Sequence, residues 1–187
     1  MARVIVFMTN GTEEIEALTV VDLLRRAKID VLTSSIDENR TIMGSHKIPV
    51  ITDTDIDNID WDETEMLVLP GGMPGTLNLG ACKKLTDKLK EFNAQGKKLA
   101  AICAAPSVLG ENGLLRGKHA VCYPGFEDKL EGAILYDEET GIPSVAVDGN
   151  IITSRGLGTA IDFSAAIIKM LVDGETADAI LKKIIYI

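Results

Sequence analysis

Three cysteines give this sequence its clearest capacity for covalent chemistry: Cys82, Cys103 and Cys122. Their spacing matches no zinc-binding pattern, and a disulfide framework would need more of them. Cys103 follows the apolar run at residues 98–102 and precedes a helical segment at residues 104–111. Backbone N–H groups at a helix N-terminus favour a thiolate and lower the pKa of a cysteine. We therefore predict a reactive thiol at Cys103, with a small buried apolar residue as the alternative.

The other two cysteines are predicted to be packing residues. Cys82 lies within a predicted helix over residues 77–92. Cys122 lies in a predicted strand over residues 120–122, next to Tyr123, and successive strand residues point to opposite faces. Cys122 would act as a resolving thiol only if that strand twisted unusually. Because no pairing is required, three cysteines fit a reduced, intracellular protein.

A glycine pair offers backbone donors that could act with Cys103. Gly71 and Gly72 follow the apolar run at residues 66–69. Glycine has no Cβ, so backbone N–H groups there can approach a reacting atom closely and serve as oxyanion donors. An ordinary tight turn is the alternative.

Three acidic residues, Glu13, Glu14 and Glu16, lie in the first connection between a strand and a helix. Acidic residues in a first helical turn are usually surface groups that suit the helix dipole. A carboxylate close to a thiolate would repel it, whereas a protonated carboxyl can donate a hydrogen bond to it. Both arrangements are open at this point.

The elements that must position these residues alternate along the chain. Short apolar runs alternate with longer segments of helical periodicity, a pattern typical of βαβ units and a parallel sheet. We predict a doubly wound α/β fold with helices on both faces, in which ligands bind beyond the carboxyl ends of the strands. The predicted strands are residues 3–8, 29–33, 66–69, 98–102, 120–122 and two within 145–153. The predicted helices cover residues 15–26, 77–92, 104–111, 158–172 and 177–185, with a small hairpin-like excursion over residues 41–59.

Length, charge and composition narrow the class of protein. A chain of 187 residues that is 46% apolar fits a single domain over residues 1–187. Its net charge of −9 and its aromatic content of 4% argue against nucleic-acid binding. The first apolar run is too short for a signal peptide or a membrane span. We predict a cytoplasmic protein without membrane or nucleic-acid partners.

Five segments, in order and at suitable spacing, together carry a family resemblance. They are residues 11–16 (GTEEIE), 21–27 (VDLLRRA), 68–72 (VLPGG), 100–106 (AAICAAP) and 153–159 (TSRGLGT). Each segment is weak alone, but the combination is specific. It resembles the ThiJ/PfpI superfamily, and within it the branch of the Parkinsonism-associated deglycase. The resemblance covers nearly the whole chain.

The resemblance implies a flavodoxin-like sheet, related to class I glutamine amidotransferases, and a homodimer with the cysteine near the subunit contact. It implies that Cys103 is the nucleophile or the oxidisable thiol. Glu16 is then the carboxyl that hydrogen-bonds this thiol, in protonated form. Backbone N–H groups of Gly72 and Ala104, with Gly71 beside them, are the implied oxyanion donors. The resemblance implies neither a cofactor nor a metal.

One position departs from the family pattern. Many relatives have a histidine before a proline after the elbow helix, where this chain has Tyr123. A phenol with a pKa of ~10 is a poor general base near neutral pH, so no ready-made Cys–His pair is predicted. Tyr123 and Arg155 are predicted supporting residues. We hypothesise that His46 approaches the partner's Cys103, with a solvent-facing histidine as the alternative. His119 is predicted to be a surface residue at the start of a strand.

Two functions fit these residues. In the first, Cys103 attacks the aldehyde of a small dicarbonyl such as methylglyoxal, or an early glycation adduct on a protein. The product is a hydroxy acid formed without glutathione or metal, which defines a glyoxalase or deglycase. In the second, oxidation of Cys103 makes the protein an oxidative-stress sensor or a redox-regulated chaperone. A protease would need a better base than Tyr123, and a nucleotide binder would need a phosphate-binding motif after the first strand.

Overall fold

The computed structural model describes residues 3–139 and 141–187 of the chain. In these ranges the strands are β1 (Arg3–Met8), β2 (Asp30–Ser35), β3 (Thr41–Met43), β4 (Pro49–Ile51), β5 (Thr54–Asp55), β6 (Thr64–Leu69), β7 (Lys98–Ile102), β8 (His119–Ala120), β9 (Ile134–Leu135), β10 (Val145–Asp148) and β11 (Ile151–Ser154). The helices are α1 (Glu14–Arg26), α2 (Gly75–Ala81), α3 (Lys83–Ala94), α4 (Pro106–Glu111), α5 (Ala160–Leu171) and α6 (Gly174–Lys183). None of these helices has the length and hydropathy needed to cross a lipid bilayer.

The central sheet has seven strands in the order β10-β11-β7-β6-β1-β2-β5. β10 is antiparallel to β11, and each other neighbouring pair is parallel. The predicted doubly wound, mostly parallel sheet is confirmed. Because β1, β6 and β7 are parallel neighbours, their carboxyl ends lie at one edge of the sheet, where ligands bind in this class of fold.

The alternation of side chains along β1 shows how the sheet holds helices on both faces. Val4, Val6 and Met8 pack in a core layer with α1, α5 and α6. Ile5 and Phe7 pack in the opposite layer with α2, α3 and α4. All five side chains are fully buried. A strand covered on both faces needs a continuous apolar run, which is the pattern that predicted this strand.

Two elements differ from the sequence prediction. The predicted helix over residues 77–92 is two helices, α2 and α3, because Cys82 adopts an extended backbone conformation with ψ of 97°. Cys82 packs against the adjoining core layer, as predicted. The predicted strand over residues 120–122 ends at Ala120 and pairs with β9, outside the main sheet. After Ala120, the Val121 N–H donates to the Thr153 side chain at 3.0 Å, which takes the place of a backbone ladder bond.

Two smaller predictions are confirmed. The excursion over residues 41–59 contains the antiparallel hairpin β3–β4, and β5 then joins the edge of the main sheet beside β2. His119 is the first residue of β8 and is exposed, with its ring nitrogen Nδ1 3.2 Å from Asp148 Oδ2. The hairpin is important for the site because it packs against the start of α1, where the Ser45 N–H donates to the Thr12 carbonyl at 2.8 Å.

Candidate active site

Cys103 lies at a strained turn between β7 and α4. Its φ of 67° is in the left-handed region, which non-glycine residues occupy at a cost of about 1–3 kcal/mol. Both of its backbone groups are bonded: its N–H donates to the Ser154 carbonyl at 2.9 Å, and its carbonyl accepts from the Tyr123 N–H at 2.7 Å. These bonds, one to the end of β11 and one to the loop that carries Tyr123, hold the turn in place. The thiol is thereby presented at the carboxyl edge of the sheet, as predicted.

Gly71 allows the thiol and a carboxyl to approach each other. A Cβ at this position would lie 2.6 Å from Cys103 Cβ and 2.7 Å from Glu16 Oε2, both too short for any side chain. The Gly71 N–H donates to Glu16 Oε2 at 2.8 Å. Gly71 is therefore a spacing residue that also orients the carboxyl, rather than only part of a tight turn.

Backbone N–H groups surround the sulfur on the other sides. The N–H groups of Gly72 and Ala104 both act to lower the pKa of the Cys103 thiol. Gly72 has a φ of 93°, and a Cβ there would lie 2.3 Å from the Glu13 nitrogen, so the loop requires glycine at this position. The two groups proposed as oxyanion donors from the resemblance thus lie at the sulfur atom.

Glu16 is 1% exposed, and its environment changes its acidity. Burial raises the pKa of this carboxyl to about 7, although hydrogen bonds from the Cys103 thiol and the Gly71 N–H act in the opposite direction. The negative charge of Glu13 raises the pKa further, and the Leu157 N–H lowers it. At neutral pH the carboxyl is therefore close to half protonated, so both of its forms are available to the site.

The pKa of Cys103 moves in the direction opposite to the one predicted from its place at a helix N-terminus. Burial, followed by the charge of Glu16 and the hydrogen bond to it, raises the pKa of the thiol to about 12. The N–H groups of Gly72 and Ala104 lower the pKa, as expected, but burial and the carboxylate outweigh them. Glu16 and Cys103 therefore form a coupled pair that shares one proton between pH about 7 and pH about 12.

The supporting residues predicted from the sequence lie in different places. The Tyr123 ring borders the thiol: a Cβ built on Gly156 would lie 3.3 Å from Tyr123 Cδ2 and 3.9 Å from Cys103 Sγ. Arg155 lines a small cavity beside Cys122 instead. Cys122 is buried in the core, as predicted, and burial raises its pKa to about 12.

His46 lies beside the acidic segment of its own chain. Its Nδ1 is 3.2 Å from Glu14 Oε2 and 3.8 Å from Glu13 Oε1, and 70% of its side chain is exposed. These three residues form the one group of three or more His, Cys, Asp or Glu side chains in the described ranges whose candidate ligand atoms lie together, within 4.8 Å. The N–H groups of His46 and Ile48 donate hydrogen bonds to Glu14 Oε1, and these bonds hold the group together without a metal ion.

Sequence reasoning missed one participant, Leu157. Its backbone N–H acts to lower the pKa of the Glu16 carboxyl, and it follows Gly156, whose extended backbone passes close to the sulfur. The signal was present in the glycine-rich turn at residues 156–158. The turn belongs to a segment that carries the family resemblance, residues 153–159, but the sequence did not identify Leu157, because a backbone donor has no residue type that identifies it.

Comparison with known proteins is consistent with this geometry. A model of the DJ-1/PfpI family matches residues 2–170. Protein DJ-1 homolog A of Arabidopsis thaliana is 38% identical over 178 residues, and the chain spans less than half the length of this protein and of the homolog B. Protein dj-1beta of Drosophila melanogaster is 34% identical over 179 residues, which cover 95% of this chain and 94% of that protein. Glutathione-independent glyoxalase DJR-1.2 of Caenorhabditis elegans is 30% identical over 184 residues, covering 97% of this chain and 94% of that protein.

Solved structures show the same fold. A structure described as Toxoplasma gondii DJ-1, oxidized, has a TM-score of 0.90 and 35% sequence identity, covering 100% of this chain and 99% of that one. The crystal structure of Drosophila melanogaster DJ-1beta has a TM-score of 0.91 and 31% identity, covering 100% of this chain and 98% of that one. These likenesses extend over the sheet, the helices and the loops that carry the site.

Proposed function

Because the chain belongs to the DJ-1/PfpI family, we propose that it is a cysteine-dependent enzyme acting on reactive dicarbonyls. Its substrates are methylglyoxal-like compounds or their early adducts on proteins, and it requires neither glutathione nor a cofactor. The main support is the coupled pair of a buried thiol and a carboxyl with a pKa of about 7. A general base is most effective when its pKa is near the working pH. Glu16 therefore supplies the base that Tyr123 does not.

The first step adds the thiol to the aldehyde. Cys103 Sγ forms a bond with the aldehyde carbon while the thiol proton passes to the Glu16 carboxylate. The electron pair of the C=O bond moves to oxygen, which takes that proton back from Glu16 and becomes a hydroxyl. The product is a hemithioacetal. Negative charge at the sulfur and the adjoining oxygen is stabilised by the N–H groups of Gly72 and Ala104.

The remaining steps convert the hemithioacetal into an acid. The Glu16 carboxylate removes the proton from the former aldehyde carbon and delivers it to the neighbouring carbon. The proton of the hemithioacetal hydroxyl moves to the ketone oxygen, so the ketone becomes an alcohol and the carbon bonded to sulfur becomes the carbonyl of a thioester. Water then hydrolyses the thioester, releasing a 2-hydroxy acid and restoring the thiol. The net reaction is addition of water to the dicarbonyl, so no oxidant, reductant or metal is consumed. The name of the Caenorhabditis elegans relative, a glutathione-independent glyoxalase, supports this assignment.

Turnover of methylglyoxal by wild type and Cys103→Ser tests the proposal. We expect kcat/KM of the variant to fall by roughly 10²-fold or more, because a hydroxyl is a far weaker nucleophile than a thiol at neutral pH. Cys82→Ser is the matched control, since Cys82 packs in the core layer beside α2 and α3, and it should change kcat/KM less than twofold. Full turnover by Cys103→Ser, or loss of turnover after EDTA treatment, would contradict the mechanism. A panel of α-oxoaldehydes then identifies the preferred substrate.

A second candidate function is sensing of oxidative stress, including a redox-regulated chaperone role, through Cys103. One structural relative is described as oxidized DJ-1, which favours this candidate. The thiolate attacks one oxygen of a peroxide, the O–O bond breaks, and a sulfenic acid forms while the leaving hydroxide takes the proton held by Glu16 and becomes water. Titration with hydrogen peroxide, read by intact mass and peptide mapping, should place the first added oxygen on Cys103. First oxidation at Cys82 or Cys122 excludes this function.

The assembly that fits the site is a homodimer in the cytoplasm. Exposed apolar side chains lie on α1 and on the β3–β4 hairpin, two elements that contact each other. They are Ile15, Leu18, Met43, Ile48 and Ile51. Exposed apolar side chains on adjoining elements are typical of subunit contacts. Sedimentation of wild type and of Ile51→Asp, with Val147→Asp as a control on the far edge strand, tests this: only the former should shift a dimer to a monomer.

A further inference from the structure

Tyr123 differs from the other aromatic residues, because its ring borders the thiol and is half exposed. All four phenylalanines and Trp61 pack in or against the two core layers. Of the other tyrosines, Tyr136 has its ring 5.6 Å from an imidazole ring, and the Tyr186 hydroxyl donates to Asp162 at 2.9 Å. Within residues 3–139 and 141–187, nothing stacks on the Tyr123 ring or hydrogen-bonds its hydroxyl. This ring is therefore free to contact a ligand at the thiol.

Two features place the Tyr123 ring beside the sulfur. The Tyr123 N–H donates to the Cys103 carbonyl at 2.7 Å, so the backbone that carries the ring is bonded to the turn that carries the nucleophile. A Cβ built on Gly156 would lie 3.3 Å from Tyr123 Cδ2, 3.9 Å from Tyr123 Cε2 and 3.9 Å from Cys103 Sγ. The ring edge and the sulfur thus face the same point at Gly156, and a single carbon atom at that point would contact both.

Other sides of the sulfur are occupied by the protein. Gly71 lies so close that a Cβ there would be 3.1 Å from the sulfur, and Glu16 Oε2 lies 2.7 Å from the same position. The N–H groups of Gly72 and Ala104 act on the thiol from the turns after β6 and β7. Tyr123, in contrast, is half exposed. The open approach to the sulfur is therefore the one that passes the Tyr123 ring.

We propose that the Tyr123 ring is the wall against which the substituent of the substrate packs, so that the site prefers α-oxoaldehydes with an aryl substituent over methylglyoxal. This inference rests on the proposed function. In the hemithioacetal, the former aldehyde carbon is bonded to Cys103 Sγ, and the ketone carbon next to it carries the substituent. A methyl group covers little of an aromatic ring, whereas an aryl group packs on it in an offset or edge-to-face arrangement. Tyr123 is thus a specificity-determining residue that takes no part in proton transfer.

Phenylglyoxal and methylglyoxal are the probes, since they differ only in this substituent. The quantity measured is the ratio of kcat/KM for phenylglyoxal to kcat/KM for methylglyoxal, in which any loss of folded protein or of nucleophilicity cancels. In wild type this ratio should exceed one. Tyr123→Leu keeps an apolar side chain but removes the ring, and it should lower the ratio by roughly two- to tenfold, the usual contribution of an aromatic pair. Tyr123→Ala repeats the test if the leucine variant does not fold.

Two control variants separate the ring from other causes. Tyr123→Phe retains the ring without its hydroxyl and should leave the ratio unchanged. Tyr186→Leu makes the same substitution at another exposed tyrosine, which is 41% exposed and bonded to Asp162. It should also leave the ratio unchanged, because this tyrosine lies against α5 rather than at the thiol.

A second measurement does not require turnover. N-phenylmaleimide and N-methylmaleimide differ by the same substituent, and each is alkylated when a thiol adds across its C=C bond. The rates of labelling at Cys103, read by intact mass and peptide mapping, give a ratio of phenyl to methyl reagent. This ratio should also fall by roughly two- to tenfold in Tyr123→Leu. If wild type turns over neither aldehyde, the proposed function fails, and the labelling ratio alone decides the role of Tyr123.

Three results would overturn the inference about Tyr123. The first is a wild-type ratio of one or less with both aldehydes turned over. The second is a ratio that Tyr123→Leu leaves unchanged, which would remove the aromatic wall while the proposed function stands. The third is an equal fall of the ratio in Tyr123→Phe or in Tyr186→Leu, which would assign the preference to the hydroxyl or to a general effect on the fold.

Discussion

Two carboxyls in the first turn of α1, Glu14 and Glu16, are almost equally buried and yet differ in acidity. Glu14 is 2% exposed and Glu16 is 1% exposed. The pKa of Glu14 is lowered, whereas the pKa of Glu16 is raised to about 7. Both carboxyls lose hydration, which raises a carboxyl pKa. The difference between them therefore arises from what each one contacts.

Glu14 contacts donors that favour its charged form. Burial acts to raise its pKa, but hydrogen bonds from its own N–H, from the N–H and ring of His46 and from the Ile48 N–H together outweigh burial. Glu16 contacts fewer such donors, and its partner Cys103 is itself an acid, with Glu13 adding like charge. Glu14 connects the hairpin to the helix, and Glu16 is paired with a thiol.

The largest expected effect is on catalysis by Glu16→Gln. We expect kcat/KM to fall by roughly 10²–10⁴-fold, the usual contribution of a general base. In wild type, kcat/KM should rise as the pH increases through about 7, because removal of one proton from the pair creates the reactive form. The variant should lose this rise. Glu14→Gln is the control and should retain the pH dependence; a flat wild-type profile between pH 6 and 8 would refute the role of Glu16.

The second effect is on stability. Glu16→Gln, which should lower kcat/KM, should increase the stability of the folded protein. A carboxyl whose folded pKa is raised contributes stability below its unfolded pKa and loses it as the pH rises through the folded value. Glu16→Gln should therefore raise the free energy of unfolding at pH 8 by up to roughly 3 kcal/mol. The gain should shrink as the pH falls from 7 to about 4.5. Urea denaturation at several pH values measures it, and destabilisation at pH 8 is the result that speaks against a raised pKa.

The third effect is destabilisation by Glu14→Gln. A carboxyl with a lowered pKa contributes stability above its unfolded pKa and loses it as the pH falls through the folded value. In the variant, the NH₂ group of glutamine faces N–H groups that donate to Glu14 in wild type. The free energy of unfolding should therefore fall by roughly 1–3 kcal/mol at pH 7. The same urea experiment tests it. If Glu14→Gln and Glu16→Gln shifted stability in the same direction, the contrast between the two carboxyls would fail.

The smallest effect is expected for His46→Ala. The ring is 70% exposed, so its contact with Glu14 should contribute only about 0.2–1 kcal/mol to stability. Because its Nδ1 is directed at Glu14 and Glu13, we expect the dependence of kcat/KM on pH to be unchanged. A displaced pH profile would instead support the hypothesis that His46 acts at the partner's Cys103.

Features set by a local sequence pattern were predicted better than contacts between residues that are far apart in the sequence. The run Arg3–Met8 predicted its strand because burial on both faces requires apolar residues throughout. The approach of Glu16 to Cys103 followed from the family resemblance. The break at Cys82 was not predicted because it depends on local backbone geometry. The raised pKa of Cys103 was not predicted because it depends on the balance between burial and three neighbouring groups, Glu16 and the N–H groups of Gly72 and Ala104. The contact of Glu14 with the hairpin depends on residues about 30 positions away.

The two backbone hydrogen bonds of Cys103 also determine at which stage of protein synthesis the site can form. The Ser154 carbonyl accepts from Cys103, and the turn that follows Ser154 supplies the Leu157 N–H to Glu16. During synthesis, at roughly 5–20 residues per second, Cys103 leaves the ribosome well before these residues do. We therefore expect a nascent chain that ends before Ser154 to carry an ordinary cysteine, and the environment of the thiol to form only when the last strand of the sheet is in place. In ribosome-bound chains of increasing length, protection of Cys103 from thiol-modifying reagents and turnover of methylglyoxal should appear together, once residues 154–157 have emerged.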